Sequence, residues 1–436
     1  MNANALSERI QNRTARVTVI GQGYVGLPLA IAFAHAGYKV TGLDSSPEKV
    51  DSLNQGRSPI PDVPHEELQK LRESGHYTAT RDFAVLADSD VAIICVPTPL
   101  RKTKDPDISY VMAASEEVAQ HLHPGQLVVL ESTTYPGTTE EILLPLFSDH
   151  GGVAGVDFFL AFSPERIDPA NPKFKVRDIP KVVGGVTNEC SRLAASLYRQ
   201  VVPNVLEVSS PRVAEMAKLY ENVFRNVNIA LANELALMCH RLGVNTREVI
   251  DAAATKPFGF MPFHPGPGVG GHCIGIDSAY LAWKMKLNGY DARFIHLAEE
   301  INQSMPTRVV QMLSDALNKR QRSLNGAKVL ALGVAYKPNV GDVRESPALE
   351  VIHQLQERGA DVCYADPHVP KVAFNGTQLD AVVADEKAYR DADCVVILTD
   401  HSEFDYKRIA SSASLVVDTR NATWGILNPK AEVIRL

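Results

Sequence analysis

The chain has 436 residues, 45 % of them hydrophobic and 22 % charged, with a formal net charge of −7. That suits a folded chain of about three domains and leaves no basic footprint for nucleic acid. No apolar run approaches the roughly 18 residues that a bilayer span needs, and the N-terminal MNANALSERIQNRTAR has no apolar core of the signal-peptide kind.

Residues 1–14 read as a short disordered or helical lead-in. Arg16–Ile20 (RVTVI) is a β-branched strand leading directly into Gly21-Gln-Gly23-Tyr24-Val25-Gly26. A helical stretch, LPLAIAFAHAG, follows, then a second strand, Lys39–Leu43, ending at Asp44. Strand, GxGxxG, helix and an acid 18 positions past the third glycine make the dinucleotide-binding context. The glycines allow the tight turn, the approach of the pyrophosphate and close helix–strand packing. The helix N-terminus supplies N–H groups and positive dipole. Asp44 is suited to ribose hydroxyls and would repel a 2′-phosphate, so the cofactor expected is NAD.

Further strands are expected at Val91–Val96, Gln126–Glu131, Phe158–Phe162 and Lys181–Val183. Helices lie between them, at Tyr110–His121 and Thr139–Phe147. This alternation predicts an α/β fold with an open, mostly parallel sheet. Ligands then bind beyond the carboxyl ends of the strands. Three motifs stand there: VPTP with Pro97 and Thr98, STTYP with Thr133, and FSPER with Glu165 and Arg166.

Pro211–Leu242 has helical spacing without an internal glycine or proline, so it reads as a long central helix joining two domains. Lys218 and Asn222 are four apart and share a face. Helices are expected near Thr246–Ala254 and Ser278–Asn288. Between them runs PGPGVGGHCIGID, from Pro265 to Asp277, with five glycines and two prolines around Cys273. It reads as a shaped loop, not a helix or a strand. A thiol there, with Asp277 four residues on, is a candidate nucleophile; the competing reading is a small buried apolar filler. The six cysteines (95, 190, 239, 273, 363, 394) form no CxxC pair, so neither zinc nor a disulfide framework is signalled. The other five sit in apolar contexts and read as structural, and a reducing cytoplasm fits.

From Asn325 the alternation returns. The strands are Ala327–Leu332, Val362–Tyr364, Cys394–Thr399 and Leu415–Asp418, with a helix at Ala348–Gly359. A loop carrying Tyr336 and Lys337 replaces GxGxxG. A second nucleotide-binding-like domain is implied, with Lys337 and Arg420 at strand ends suited to phosphate or nucleotide oxygens.

These motifs together resemble the UDP-glucose/GDP-mannose dehydrogenase family over nearly the whole chain. GQGYVGLPLA, VPTP, STTYPGT, FSPERI, AEMAKLYENVFRNVNIALANE, PGPGVGGHCIGID and GVAYKPNVGDVRES stand in the family's order. The resemblance implies two Rossmann-like domains joined by the long helix and a small all-α domain. The boundaries are 15–210 for the NAD-binding part, 211–314 for the central, dimer-forming part and 315–436 for the UDP-sugar part. It implies oxidation of a nucleotide sugar's C6 alcohol to a carboxylate with two NAD, in a homodimer or higher homo-oligomer.

Carried over residue by residue, Cys273 holds the aldehyde as a thiohemiacetal and then a thioester. Lys218 and Asn222 stabilise the oxyanion. Asp277 and Thr133 hold a relay water, and Glu165 is the base for hydrolysis. Cofactor contacts fall on Gly21, Gly23, Tyr24, Val25, Gly26, Asp44, Pro97, Thr98, Thr133 and Arg344. Sugar-nucleotide contacts fall on Glu165, Arg166, Lys218, Asn222, His264, Gly270, Tyr336, Lys337 and Arg420. His272 is set aside as a base because neighbours in an extended loop point apart. Enzymes of UDP-glucose commonly carry lysine where this chain has Ile276. With FIHLAEEINQSMP, this resembles the UDP-N-acetylhexosamine branch, which supplies uronic acids for bacterial surface polysaccharides. UDP-N-acetylglucosamine comes first, with UDP-N-acetylmannosamine, UDP-N-acetylgalactosamine and UDP-glucose as alternatives. Two other classes stay open: a cysteine acyl-transferase or hydrolase, which needs no NAD fingerprint, and a catalytically dead nucleotide-sugar-binding regulator.

Overall fold

A computed structural model describes residues 2–60, 63–101, 103, 105–166 and 178–436, and of His272 and Cys273 the backbone alone. The chain forms two compact units: Met1–Glu221 with Ala279–Gly289, and Asn222–Ser278 with Tyr290–Leu436.

The first unit holds a sheet of eight strands. These are β1 (Arg16–Ile20), β2 (Lys39–Leu43), β3 (Tyr77–Thr80), β4 (Val91–Ile94), β5 (Leu127–Leu130), β6 (Phe159–Phe162), β7 (Lys181–Gly185) and β8 (Val205–Glu207). Their order is β3-β2-β1-β4-β5-β6-β7-β8. Successive side chains go to opposite faces of a strand, and the β-branched runs use both. Val91, Ile93, Leu127 and Val129 enter one core, while Ala92, Ile94, Val128 and Leu130 enter the other. The helices of this unit are α1 (Ala3–Gln11), α2 (Gly26–His35), α3 (Pro47–Asn54), α4 (His65–Glu73), α5 (Ser109–Gln120), α6 (Leu144–Gly151) and α7 (Asn188–Tyr198). A π-helical turn, Thr139–Leu143, precedes α6. The lead-in is helical, and not loose. Leu6 and Ile10 of α1 are fully buried, and Tyr38 Oη donates to the Ile10 carbonyl at 2.6 Å.

One strand reverses. All the pairs are parallel except β6–β7, which run antiparallel with Ala161 opposite Gly185 and Phe162 opposite Gly184. The chain therefore enters β7, at Lys181, on the edge where β6 ends.

The long helix α8 (Pro211–Leu242) has the bounds that its spacing predicts. It starts in the first unit and ends in the second. After α9 (Thr246–Ala254) comes a correction: α10 spans His272–Leu287, so Cys273 is not in a loop but second in a helix. The looped part ends at Gly271, whose φ of +84° suits glycine. Gly275 does not break the helix, since one interior glycine costs only about 1 kcal/mol relative to Ala and α10 runs on for 16 residues. The reason for setting His272 aside lapses with the extended loop. The 27-residue α11 (Arg293–Lys319) was not anticipated as a helix.

The second unit's sheet joins β9 (Lys328–Leu332), β10 (Asp361–Ala365), β13 (Cys394–Ile397), β14 (Leu415–Asp418) and β15 (Glu432–Arg435) in the order β10-β9-β13-β14-β15, all parallel. A hairpin of β11 (Lys371–Phe374) and β12 (Thr377–Asp380) stands beside it, with α12 (Pro347–Glu357), α13 (Glu386–Asp391) and α14 (Tyr406–Ser412). Cys95, Cys190, Cys239 and Cys394 are buried as expected, but Cys363 is exposed, on the outward face of β10.

The two sheets repeat one device. Gly21 follows β1 at φ +91°, and Gly333 follows β9 at φ +80°. A Cβ on either would meet a carbonyl oxygen at 2.5 Å, that of Cys95 or of Thr399. The acid after the second strand ties down each turn. Asp44 accepts from the Gln22 N–H at 2.8 Å, and Asp366 from the Val334 N–H at 2.7 Å.

Candidate functional site

At the glycine turn, a Cβ on Gly26 would lie 1.8 Å from the Gly21 carbonyl oxygen, while one on Gly23 would meet nothing within 4 Å. Gly21 and Gly26 thus close the turn, and Gly23 faces open space. No side chain caps α2; the Leu27 N–H donates to the Gly23 carbonyl at 3.1 Å and Pro28 has none, so the Gly26 N–H and the helix dipole are what the turn offers a phosphate. Gln22, fully buried, props the turn from below. Its Nε2 donates to the Val19 carbonyl at 2.8 Å, and its Oε1 accepts from Tyr77 Oη at 2.9 Å. This cradle fits a dinucleotide. Tyr24 beside it is 43 % exposed, and Val25 precedes α2.

Asp44 also accepts from the Ser46 N–H at 3.1 Å and from Lys49 Nζ at 2.7 Å. Its carboxylate therefore arrives braced, and the neighbouring ammonium is masked by it. Asp44→Ala is expected to raise the KM for NAD at least about tenfold, as a lost charge-assisted bond of about 1.5–3 kcal/mol implies. It should also relax discrimination against NADP, because Lys49 is then unmasked. Steady-state kinetics with both cofactors checks this. An unchanged NADP/NAD preference overturns the assignment of Asp44.

The three expected motifs meet at one edge, because β4, β5 and β6 are adjacent and parallel. Pro97 and the buried Thr98 follow β4, and Thr133 follows β5. Glu165, 9 % exposed, follows β6 and accepts from the Arg166 N–H at 2.6 Å and from Lys181 Nζ at 3.4 Å. The Arg166 guanidinium turns instead to Glu221 at 2.7 Å and the Pro180 carbonyl. Behind Glu165 lie two residues that sequence reasoning missed. Glu131 is fully buried and takes a hydrogen bond from Lys181. Burial pushes the Glu131 carboxyl up to about 7 against the pull of Lys181. An acid straight after the apolar run QLVVL was a signal for Glu131. Lys181 had none, since its place depends on the reversal of β7.

Two pairs lie one turn apart on α8. In the first unit Lys218, 7 % exposed, donates to Thr133 Oγ1. Among the described residues of that unit its ammonium meets this neutral hydroxyl and no carboxylate. In the second unit Asn222 Nδ2 donates to Asp277 Oδ2 at 2.5 Å. Asp277, 1 % exposed, stands on α10 one turn after Cys273, whose side chain lies outside the described residues. Asn226 and Ser278 repeat the contact at 3.2 Å, and Asn302 donates to Asn226 Oδ1 at 2.8 Å.

The second unit also carries a cleft lined by Arg247, His264, Pro265, Thr419, Arg420, Asn421 and Leu436. Arg420 Nε donates to the Leu398 carbonyl at 2.9 Å. Its guanidinium lies so close to Gly266 that a Cβ there would meet it at 2.5 Å. Burial and Arg247 lower the pKa of His264. Arg247 was missed by sequence reasoning. Tyr336 packs against Gly270 and Gly271, where a Cβ on either would approach its side chain to 2.8 Å. Lys337 Nζ sits 5.7 Å from the centre of the Tyr336 ring. Arg344, also in this unit, forks onto Asp342 at 2.6 and 3.0 Å.

Among the described residues one group, His368, His401 and Glu403, brings ligand-type atoms within 4.8 Å of each other. His401 is already committed at both ring nitrogens. Nδ1 accepts from the Asn339 N–H at 2.9 Å, and Nε2 meets Asp366 at 3.0 Å. No helix of the described residues is long and apolar enough to cross a membrane.

Family models match in series along the chain. Residues 15–202 match the NAD-binding domain of the UDP-glucose/GDP-mannose dehydrogenase family, 212–304 its central domain and 330–424 its UDP-binding domain. The UDP-N-acetyl-D-glucosamine 6-dehydrogenase of Pseudomonas aeruginosa is 39 % identical over 356 residues, 81 % of this chain and 83 % of that one. The UDP-N-acetyl-D-mannosamine dehydrogenase of Pyrococcus horikoshii is 39 % identical over 414 residues, 93 % of this chain and 95 % of that one. The solved structure of a UDP-D-ManNAc dehydrogenase from Pyrococcus horikoshii superposes with a TM-score of 0.85 at 36 % identity, covering 96 % of this chain and 98 % of that one.

Proposed function

The chain belongs to the UDP-glucose/GDP-mannose dehydrogenase family and is an NAD-dependent UDP-sugar dehydrogenase, and on that premise we propose that its substrate is UDP-N-acetylglucosamine, oxidised at C6 from alcohol to carboxylate. NAD, when bound, accepts hydride, once for each of the two oxidations. The residues of the chain do the rest. Asp277 and Thr133 hold the water that takes the alcohol proton. The Cys273 thiolate adds to the C6 aldehyde, so the aldehyde never escapes as such. Residue 273 is second in α10, where a helix dipole favours an anion. Lys218 and Asn222 donate to the oxyanion of the thiohemiacetal. After the second oxidation the thioester carbonyl is attacked by water, whose proton goes to Glu165. The C–S bond breaks, and the thiolate returns as the uronate leaves. Arg420 and Lys337 serve the UDP oxygens, with His264, Gly270 and Tyr336 shaping that side. Arg166 serves the sugar. Pro97, Thr98 and Arg344 serve the cofactor.

The observation that carries this reading is Lys218, a nearly buried ammonium facing a neutral hydroxyl. Such a group is costly unless an anion is to form beside it. The relatives named for N-acetylglucosamine and N-acetylmannosamine are equally similar, at 39 % each. Ile276, where UDP-glucose enzymes commonly carry lysine, favours the N-acetylhexosamine branch, and within it the glucosamine reading rests on the 294–306 stretch. The test is NADH absorbance with the UDP sugars of N-acetylglucosamine, N-acetylmannosamine, N-acetylgalactosamine and glucose. UDP-N-acetylglucosamine is expected to give the highest kcat/KM and two NADH per sugar. A higher value for another sugar overturns the substrate. No NADH with any sugar favours the regulator.

The product fits the making of surface polysaccharide, and reduced cysteines fit the cytoplasm. We place a two-fold homodimer on α8, where Val213, Tyr220, Leu231 and Leu242 are 44, 63, 58 and 76 % exposed. Such faces are covered in assemblies. Light scattering is expected to return at least twice the 47.5 kDa of the chain; a monomer at micromolar concentration rejects the dimer.

A further inference from the structure

We propose that Lys181 is a positioning residue for hydrolysis: its ammonium, shared between Glu131 and Glu165, supplies the counter-charge that aims Glu165 as the base. This rests on the reading of Glu165 given above. The reversal of β7 brings Lys181 to the edge where β6 ends. All three side chains are close to dry, at 8, 0 and 9 % exposure for Lys181, Glu131 and Glu165. Lys181 Nζ hydrogen-bonds Glu131 and reaches Glu165 Oε2 at 3.4 Å. It also lies 5.2 Å from the centre of the buried Tyr198 ring on α7. At the end of β4, Cys95 Sγ points at Glu131 Oε2 at 3.8 Å. Among the described residues, the charged and titratable groups around Glu165 include Lys181 from β7, Glu131 from β5, Cys95 after β4, Tyr198 from α7 and Arg166 beside it, whose guanidinium goes to Glu221.

Two acids share one ammonium. Burial raises Glu131 even beside Lys181, and a buried carboxyl that loses its ammonium takes up a proton more readily still. A protonated Glu165 cannot accept a proton from water. The two neighbours therefore act on Glu165 differently: Lys181 supplies its counter-charge directly, whereas Glu131 competes for the same ammonium.

The test is the rate at which the covalent sugar–enzyme thioester decays, followed by intact mass in single turnovers with NAD and UDP-N-acetylglucosamine, from pH 5 to 9. Lys181→Met is expected to move the acid limb of that rate up by about 1–3 pH units, the size of one close opposite charge. Glu131→Gln leaves Lys181 for Glu165 alone and is expected to move it down or leave it in place. A limb unchanged in Lys181→Met, or raised equally in both variants, overturns the proposal. General damage to a buried network would move both the same way. If Lys181→Met does not fold, the neutral pair Glu131→Gln/Lys181→Met carries the same expectation of a raised limb. Glu165→Gln separates the two layers. If it hydrolyses the thioester normally, the base is wrong. If it traps the thioester while the limb shifts fail, only Lys181 is wrong.

Discussion

Cys273→Ala is expected to abolish the second oxidation and to lower net turnover to the uronate by several orders of magnitude. Without the thiol nothing holds the aldehyde at C6 against release. Cofactor binding should persist, because the turn Gly21–Gly26 is closed by contacts of its own: the Gly21 N–H donates to the Leu43 carbonyl at 2.7 Å, and Gln22 is buried beneath. Cys273→Ser is the sharper variant. A serine hydroxyl can form the hemiacetal and then an ester, but an oxygen ester is hydrolysed more slowly than a thioester. The serine variant should therefore accumulate covalently attached sugar, read as a mass increase on the intact protein after incubation with NAD and the UDP sugar. Two NADH per sugar at near-normal rate from Cys273→Ala makes the thiol structural and ends this mechanism.

How far the sequence carried depends on which force set each element. β1, β2, β14, α8 and α9 have the bounds that their patterns predict, because their β-branched runs or helical spacing are uninterrupted. The glycine turn was legible because three glycines and one acid stand in a line of chain. Lys218 and Asn222 were legible as one helical face, but the partners of each came from elsewhere: Thr133 follows β5, and Asp277 stands on α10. The start of α10 misread for a local reason. Glycine and proline dominate the composition through Gly271, and Gly275 extends the impression, yet the backbone turns helical as soon as the positive-φ glycine is passed. Lys181 was illegible for a global reason. A parallel β7 would have begun at the opposite edge of the sheet, and nothing in KVVGG announces the reversal. Arg247 was missed because its partners in the cleft, Arg420 and Leu436, are more than 170 residues away in sequence.

Lys218→Met is expected to lower kcat by about 10²–10³, the usual effect of removing one oxyanion donor. The KM for the UDP sugar should change little, because the charge that Lys218 meets exists only once the thiolate has added to the aldehyde. Stability should move the other way. The Lys218 ammonium is 7 % exposed and donates to a neutral hydroxyl, so its burial costs the folded state the desolvation of a charge. Methionine keeps the length and removes that cost, and Thr133 retains a hydroxyl that can turn to another acceptor. Thermal unfolding of the apo-protein should therefore come at an equal or higher Tm in Lys218→Met than in the wild type, beside a kcat reduced by orders of magnitude. Active sites hold such destabilising groups because the reaction needs them. A structural lysine would give the opposite pattern, a lower Tm with kcat falling only as far as the folded fraction does. That result, or a kcat within a few-fold of wild type, removes Lys218 from the oxyanion site.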